Sequence, residues 1–185
     1  MCSSDLIGML WIFHRMHHSD AWMDVTTANR FHLGEILISS VLRLGLIPIL
    51  GIRFEQLVVY ETLLQFVVQF HHANVRLPAR LEGALSWLIV TPGIHKVHHS
   101  RWQPETDSNF ASILPFWDRL FGTFRRHADP ESLRLGLDGF DGDEFQTVPG
   151  MLLTPVKAPR AMDLAGGAEG HPEKPPANSG PAAGL

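Results

Sequence analysis

Cysteine, basic excess and long uncharged apolar runs are all scarce in this chain of 185 residues, and each scarcity excludes something. The single cysteine, Cys2, rules out an internal disulfide framework and a cysteine-based zinc site. Lys and Arg total 15 against 19 Asp and Glu, a formal net charge of −4, so the basic face that a nucleic-acid binder needs is missing. Charged residues make up 18% of the chain where about 25% is usual for a soluble domain, and hydrophobic residues reach 45%. Even so, no uncharged apolar run reaches the roughly 18 residues that read directly as a membrane span. The opening segment has neither a charged n-region nor an apolar h-region and is no signal peptide. The length suits one domain with a real core rather than two.

Residues 1–6, MCSSDL, resemble the translation of a short-read sequencing adapter read from a GTG start codon. Natural sequence is therefore expected to begin near Ile7, and Cys2 carries no functional weight. Residues 7–18 read as the tail of a helix and residues 19–30 as a polar loop. Two apolar stretches follow: residues 36–52, interrupted by Arg43 and Pro48, and residues 57–70, which carry Glu61 and two glutamines. A shorter one covers residues 85–90. Seventeen helical residues span about 25 Å against a hydrocarbon layer of about 30 Å. The pair reads as a helical hairpin that nearly or fully crosses a bilayer, with residues 53–56 as its turn. A buried helical pair in a soluble protein is the alternative that hydropathy leaves open. Arg15, Arg30, Arg76, Arg80, Lys96 and Arg101 flank the apolar block on both sides, which places both ends in the cytoplasm and requires an even number of crossings. Arg53, at the tip, is one charge against that pattern. The expected organisation is a domain over residues 7–127, a C-terminal extension over 128–157, and a Pro-, Gly- and Ala-rich tail over 158–185 that cannot bury a core and is expected to be disordered.

What the chain has in abundance is histidine, 11 residues, most of them in three groups. His14, His17 and His18 (HRMHH) and His95, His98 and His99 (HKVHH) share one spacing. On a helix, positions i, i+3 and i+4 fall on one face, so each triplet can converge on one point. Random placement of the histidines would give this pattern about 0.04 times per chain, and it occurs twice. Imidazole binds iron, zinc and copper through one ring nitrogen, and two such triplets exceed what one tetrahedral zinc requires. His71 and His72 end the second apolar stretch, where a helix meeting the membrane face would deliver His72 to the same side as both boxes. His71 and His32 are weaker candidates for further ligands. Asp20, Asp24 and Asp107 are the nearest carboxylates in sequence and could orient the imidazoles as second-layer partners.

The segments HRMHHSDAWMDVTTANRFHLGEI, FHHANVRLP, TPGIHKVHHSRWQPETDSNF and WDRLFGTF resemble, in order and spacing, the sterol desaturase and fatty acid hydroxylase superfamily. The resemblance covers residues 14–123 and extends beyond the histidines to Asp24, Thr26, Thr27, Asn74, Pro78, Asp107, Asn109, Asp118 and Gly122. It implies an all-α integral membrane protein with a histidine-rich di-metal domain on the cytoplasmic side, expected in a bacterial cytoplasmic membrane. By position, His14, His17, His18, His72, His95, His98 and His99 would be ligands to two iron ions. The centre would activate O2, with electrons from a donor protein, to hydroxylate or desaturate a lipid-like substrate. The superfamily normally carries an earlier His-x-x-x-His box, and no histidine here precedes His14. The chain is therefore expected to be N-terminally truncated and inactive alone; two irons per chain with turnover would refute this.

Two other readings compete with the oxygenase. A non-redox, histidine-rich zinc-binding membrane protein or a metal-dependent hydrolase would use the same ligands. However, a hydrolase of the HExxH type needs a glutamate inside the box, and neither HRMHH nor HKVHH supplies one. A non-enzymatic remnant or membrane anchor is the third reading. Substrate, oligomeric state and the choice between hydroxylation and desaturation leave no mark on the sequence.

Overall fold

The computed structural model describes residue 5 and residues 7–157; the expected disordered tail, residues 158–185, and most of the adapter-like opening lie outside the described residues. The described chain is mostly helical, and its one β-type contact is an isolated antiparallel bridge between Ser100 and Leu135. The helices are α1 Gly8–His18, α2 Leu33–Ile49, α3 Phe54–His72, α4 Ala79–Leu85, α5 Pro92–His98, α6 Gln103–Thr106, α7 Phe116–Phe121, α8 Asp143–Gln146 and α9 Val148–Leu153. Short 3-10 turns occupy Thr27–Asn29 and Pro130–Ser132.

Helices α2 and α3 form the expected hairpin, with sharper ends than hydropathy suggests. His32 caps α2, its Nδ1 accepting from the Gly34 N–H at 2.9 Å, so the helix begins just before the apolar run. The turn is earlier than the expected residues 53–56. Gly51 takes a left-handed φ of +65°, which suits glycine, and Arg53 is already the N-cap of α3. Its N–H donates to Gln56 Oε1 at 2.9 Å, so Gln56 belongs to the first turn of the helix. Arg43 and Glu61, the charges that interrupt the two apolar runs, pair across the hairpin at 2.8 Å. The interruptions thereby neutralise each other.

The hairpin is inverted relative to a soluble helix pair. Its buried residues are Glu35 in α2 and His71 and His72 in α3, all at its base, while Leu37, Val41, Leu44, Leu63 and Phe66 are exposed along its length. Exposed apolar area of this extent marks an interaction surface. Among the described residues, no helix is long and apolar enough to cross a membrane.

The interior is correspondingly unusual. The buried apolar cluster is small: Val90, Ile94 and Ala111, with Phe124 packed against it. The largest block of buried side chains is instead a cluster of eight imidazoles, His14, His17, His18, His71, His72, His95, His98 and His99. Two devices hold its walls. In the first, the segment after α6 is clamped by the buried Asp118 of α7, whose carboxylate accepts from Phe110 N (2.8 Å), Ala111 N (3.0 Å) and the Thr123 hydroxyl (2.8 Å). Helix α7 stops at Gly122, whose φ of +73° only glycine adopts without strain. In the second, the C-terminal extension wraps over α1. Arg15 donates to the Thr154 and Lys157 carbonyls, Arg30 to Gln146 Oε1 at 2.9 Å, and Arg101 pairs with Asp138 and Asp141.

Candidate metal centre

Three helix ends deliver the imidazoles. Helix α1 terminates on box HRMHH, so His14, His17 and His18 share its inner face. Helix α5 ends at His98, with His99 as its C-cap, and α3 ends on His71 and His72. Each helix ends at its histidines: Ser19, His99 and Ala73 are the C-caps of α1, α5 and α3.

One nitrogen each of His17, His72, His95 and His99 lie within 4.8 Å of one another. His72 Nε2 is 3.1 Å from His17 Nε2 and 3.1 Å from His95 Nε2. A first-row metal ion takes imidazole nitrogens at about 2.1 Å, which sets neighbouring ligand atoms about 3.0–3.4 Å apart, so the spacing fits ligands sharing one ion. His18 and His98 meet in a second group with the carboxylate of Asp5, at 3.4 and 3.6 Å, and His14 Nε2 lies 3.3 Å from the same carboxylate. The groups touch: the His18 and His99 rings stack at 4.4 Å, and those of His17 and His18 meet edge to face at 5.5 Å.

Three of the rings, His14, His72 and His98, have an outer nitrogen held by an acceptor. His72 Nδ1 donates to the Val68 carbonyl at 2.8 Å and His98 Nδ1 to the Ser108 carbonyl at 2.8 Å, leaving each Nε2 lone pair pointing inward. His14 Nδ1 lies 2.8 Å from Oε1 of the buried Glu35. Burial drives His17, His95 and His99 well below the ordinary histidine range, and neighbouring imidazoles add repulsion. Burial likewise takes His18 down to about 3, against the opposing pull of Asp5. Burial pushes the Asp5 carboxyl up, but His98, His14 and His18 together outweigh it and hold the group below the usual carboxylate range. Neutral imidazole is the form that binds metal. His18 Nε2 and both nitrogens of His99 are buried without a hydrogen-bond partner, a costly arrangement in a dry interior that a cation bound at a lone pair would relieve.

The other sequence candidates go elsewhere. His71 is buried against the His95 ring at 3.9 Å but lies outside both groups. His32 spends both nitrogens as a cap, Nδ1 on Gly34 and Nε2 against the Leu152 carbonyl at 2.9 Å. Asp20 accepts from the Thr27 hydroxyl at 2.7 Å, Asp24 caps Thr26, and Asp107 is exposed. Beyond Asp5, the carboxylate that touches a box histidine is Glu35, which sequence proximity overlooks because it lies 21 positions from His14. Its one sequence signal is a lone acid opening an apolar helix. Substitution Glu35→Ala is expected to lower metal affinity of the His14 side of the cluster by about 10- to 100-fold. Glu35→Gln, which keeps an acceptor oxygen, should retain most of it. Titration with Co(II) and its visible absorption would read both, and unchanged affinity in Glu35→Ala would remove the orienting role.

Comparison with known proteins shows the family. The sequence profile of the fatty acid hydroxylase family matches residues 4–123. An ornithine lipid hydroxylase of Rhizobium tropici is 33% identical over 132 residues, which cover 70% of this chain and 38% of the relative. Alkylglycerol monooxygenases of Danio rerio (33% over 127 residues, 66% of this chain and 26% of the relative) and Homo sapiens (32% over 138 residues, 71% and 28%) are similar over the same part. The chain thus spans less than two fifths of the length of these relatives. No solved structure matches. With its histidine boxes assembled on one buried centre and its sequence matched through most of that region, the chain belongs to the fatty acid hydroxylase family, within the sterol desaturase and fatty acid hydroxylase superfamily.

Proposed function

We propose that this chain carries the di-iron centre of a membrane-bound oxygenase that hydroxylates a C–H bond of a lipid. The observation that carries the reading is the convergence of His17, His72, His95 and His99 within 4.8 Å, on helices from three separate parts of the sequence. In this reading those four hold one iron and His14, His18 and His98 contribute to a second. The donor set fits: all-imidazole ligation, with burial disfavouring the cationic forms of His17, His18, His72, His95 and His99, and with His14, His72 and His98 oriented from outside. Asp5 falls within the six adapter-like residues and has no ligand role in this reading. Bound iron would supply activation of O2, one oxygen atom entering the C–H bond and the other leaving as water, with two electrons from a donor protein. The chain's own residues do the rest. Val68, Ser108 and Glu35 hold the imidazole protons outward, and the eight buried rings exclude water from the space between them.

Hydroxylation is favoured over desaturation because the similar curated proteins are a hydroxylase and monooxygenases. A lipid substrate suits the exposed apolar hairpin whose base holds His71 and His72, and a bilayer would cover that hairpin with the metal end at the cytoplasmic face. The test is metal analysis of the detergent-purified chain after anaerobic loading with ferrous iron. Tightly held iron that reacts with O2, retained in Asp5→Ala, is the expected result. Stoichiometric zinc that iron cannot displace, without O2 reactivity, would replace this reading with the zinc-binding or hydrolytic one.

A further inference from the structure

A second apolar patch is formed by the turn after α4 and by α7. Trp87, Leu88, Phe116, Trp117, Leu120 and Phe121 are all exposed, Trp87 at 68%. They are contiguous. The Trp117 ring lies 5.3 Å from that of Phe116 and 6.3 Å from that of Phe121, and the Arg119 guanidinium sits 4.4 Å over the Trp87 ring, joining the turn to the helix. Six large apolar side chains over so short a stretch exceed what a lone surface hydrophobe explains.

The exposed charges beside this face are cationic, and the nearby acid Glu82 is half-buried and accepts from the Thr91 hydroxyl. Arg119 donates to the Ser86 carbonyl at 2.8 Å, and Arg126 donates to the Ser86 hydroxyl and the Gly83 carbonyl, so two guanidinium groups converge on one turn. Neither forms an ion pair among the described residues. Each raises the cost of the other's charge, and that cost falls when an anion lies between them or nearby. Arg80, on α4, is exposed as well. Asp118, the acid on α7, is buried and committed to the Phe110 and Ala111 N–H groups. Tryptophan beside arginine, with apolar side chains outward and cationic heads set back along their stems, is the composition of a bilayer interface.

We propose that the Trp87–Leu88 turn and α7 form an interfacial foot that rests on an anionic lipid surface, in addition to the hairpin. The foot is rigidly tied to the site. Box helix α5 starts four residues after Leu88, and Val90 N donates to the Ile113 carbonyl at 2.9 Å, just ahead of α7. Seating the foot therefore sets the depth of His95, His98 and His99 relative to the lipid headgroups.

Depth-dependent fluorescence quenching tests this on the whole, metal-free chain, so that failure here leaves the iron reading untouched. The five tryptophans are reduced to one by Trp→Phe changes, leaving Trp87, Trp117 or, as control, Trp102, with helical content checked by circular dichroism. The proteins are reconstituted into vesicles of phosphatidylglycerol and phosphatidylcholine containing brominated acyl chains. The Trp87 and Trp117 forms are expected to lose about half their emission while the Trp102 form loses little, and the loss should shrink in pure phosphatidylcholine. Equal quenching of all three, quenching that ignores the anionic lipid, or shielding of both tryptophans by a second copy detected by cross-linking would each overturn the proposal.

Discussion

Replacing His72 with alanine is expected to abolish tight metal binding in the four-histidine group while the protein stays folded in detergent. His72 Nε2 lies 3.1 Å from both His17 Nε2 and His95 Nε2, so it is the nitrogen that bridges the α1 and α5 contributions. Its removal leaves three donors around a polar void, and metal affinity should fall by more than about a hundredfold. His71→Ala is the internal control. His71 is equally buried and stacks on His95 at 3.9 Å, but it supplies no atom to either group, so metal stoichiometry should survive its loss. Free imidazole in the buffer should partly restore binding to His72→Ala, since it can occupy the vacated position, and a merely structural role would not respond to it. Equal metal content in His72→Ala and the parent chain would dismantle the four-ligand assignment.

The contrast between His71 and His72 shows where the sequence is legible and where it stops. The two boxes are visible because a helix repeats every 3.6 residues and three ligands on one face leave a periodic trace. The helix pair is visible because two apolar runs of 14 and 17 residues stand on either side of a short polar break. A dipeptide has no period, so its two members are distinguished only by the direction in which α3 approaches the cluster. Outer partners are harder still. Val68 and Ser108 act through carbonyl groups, which every residue possesses, and Glu35 acts across 21 positions. The nearest acids, Asp20 and Asp24, look better placed in the sequence, yet their side chains are drawn into the local loop by Thr27 and Thr26, as short acids in turns usually are. His32 reads as a ligand because it is a histidine among ligands; its position one residue before a helix assigns it to capping instead.

The largest stability effect is expected at a residue far from any ligand, Asp118. Its two oxygens accept from two buried backbone donors, Phe110 N and Ala111 N, and from the Thr123 hydroxyl. Alanine would orphan both amides in a region with no room for compensation, at about 1–3 kcal/mol each, a large share of a typical total of about 5–15 kcal/mol. Asparagine is the more informative change. Its oxygen can serve Phe110 and Thr123, but its NH2 would then face the Ala111 N–H, donor against donor, so Asp118→Asn should fall between alanine and the parent. The consequence reaches the centre through the backbone. Ser108, whose carbonyl holds the His98 Nδ1 proton, lies two residues before the clamped Phe110, and the Phe110 ring packs edge-on to His98 at 5.8 Å. Denaturant unfolding in detergent would give the ordering parent, Asn, Ala, and Co(II) titration would show weaker binding in the same order. Native-like stability in Asp118→Ala would mean that the clamp contributes nothing and that the wall behind His98 is held by other contacts.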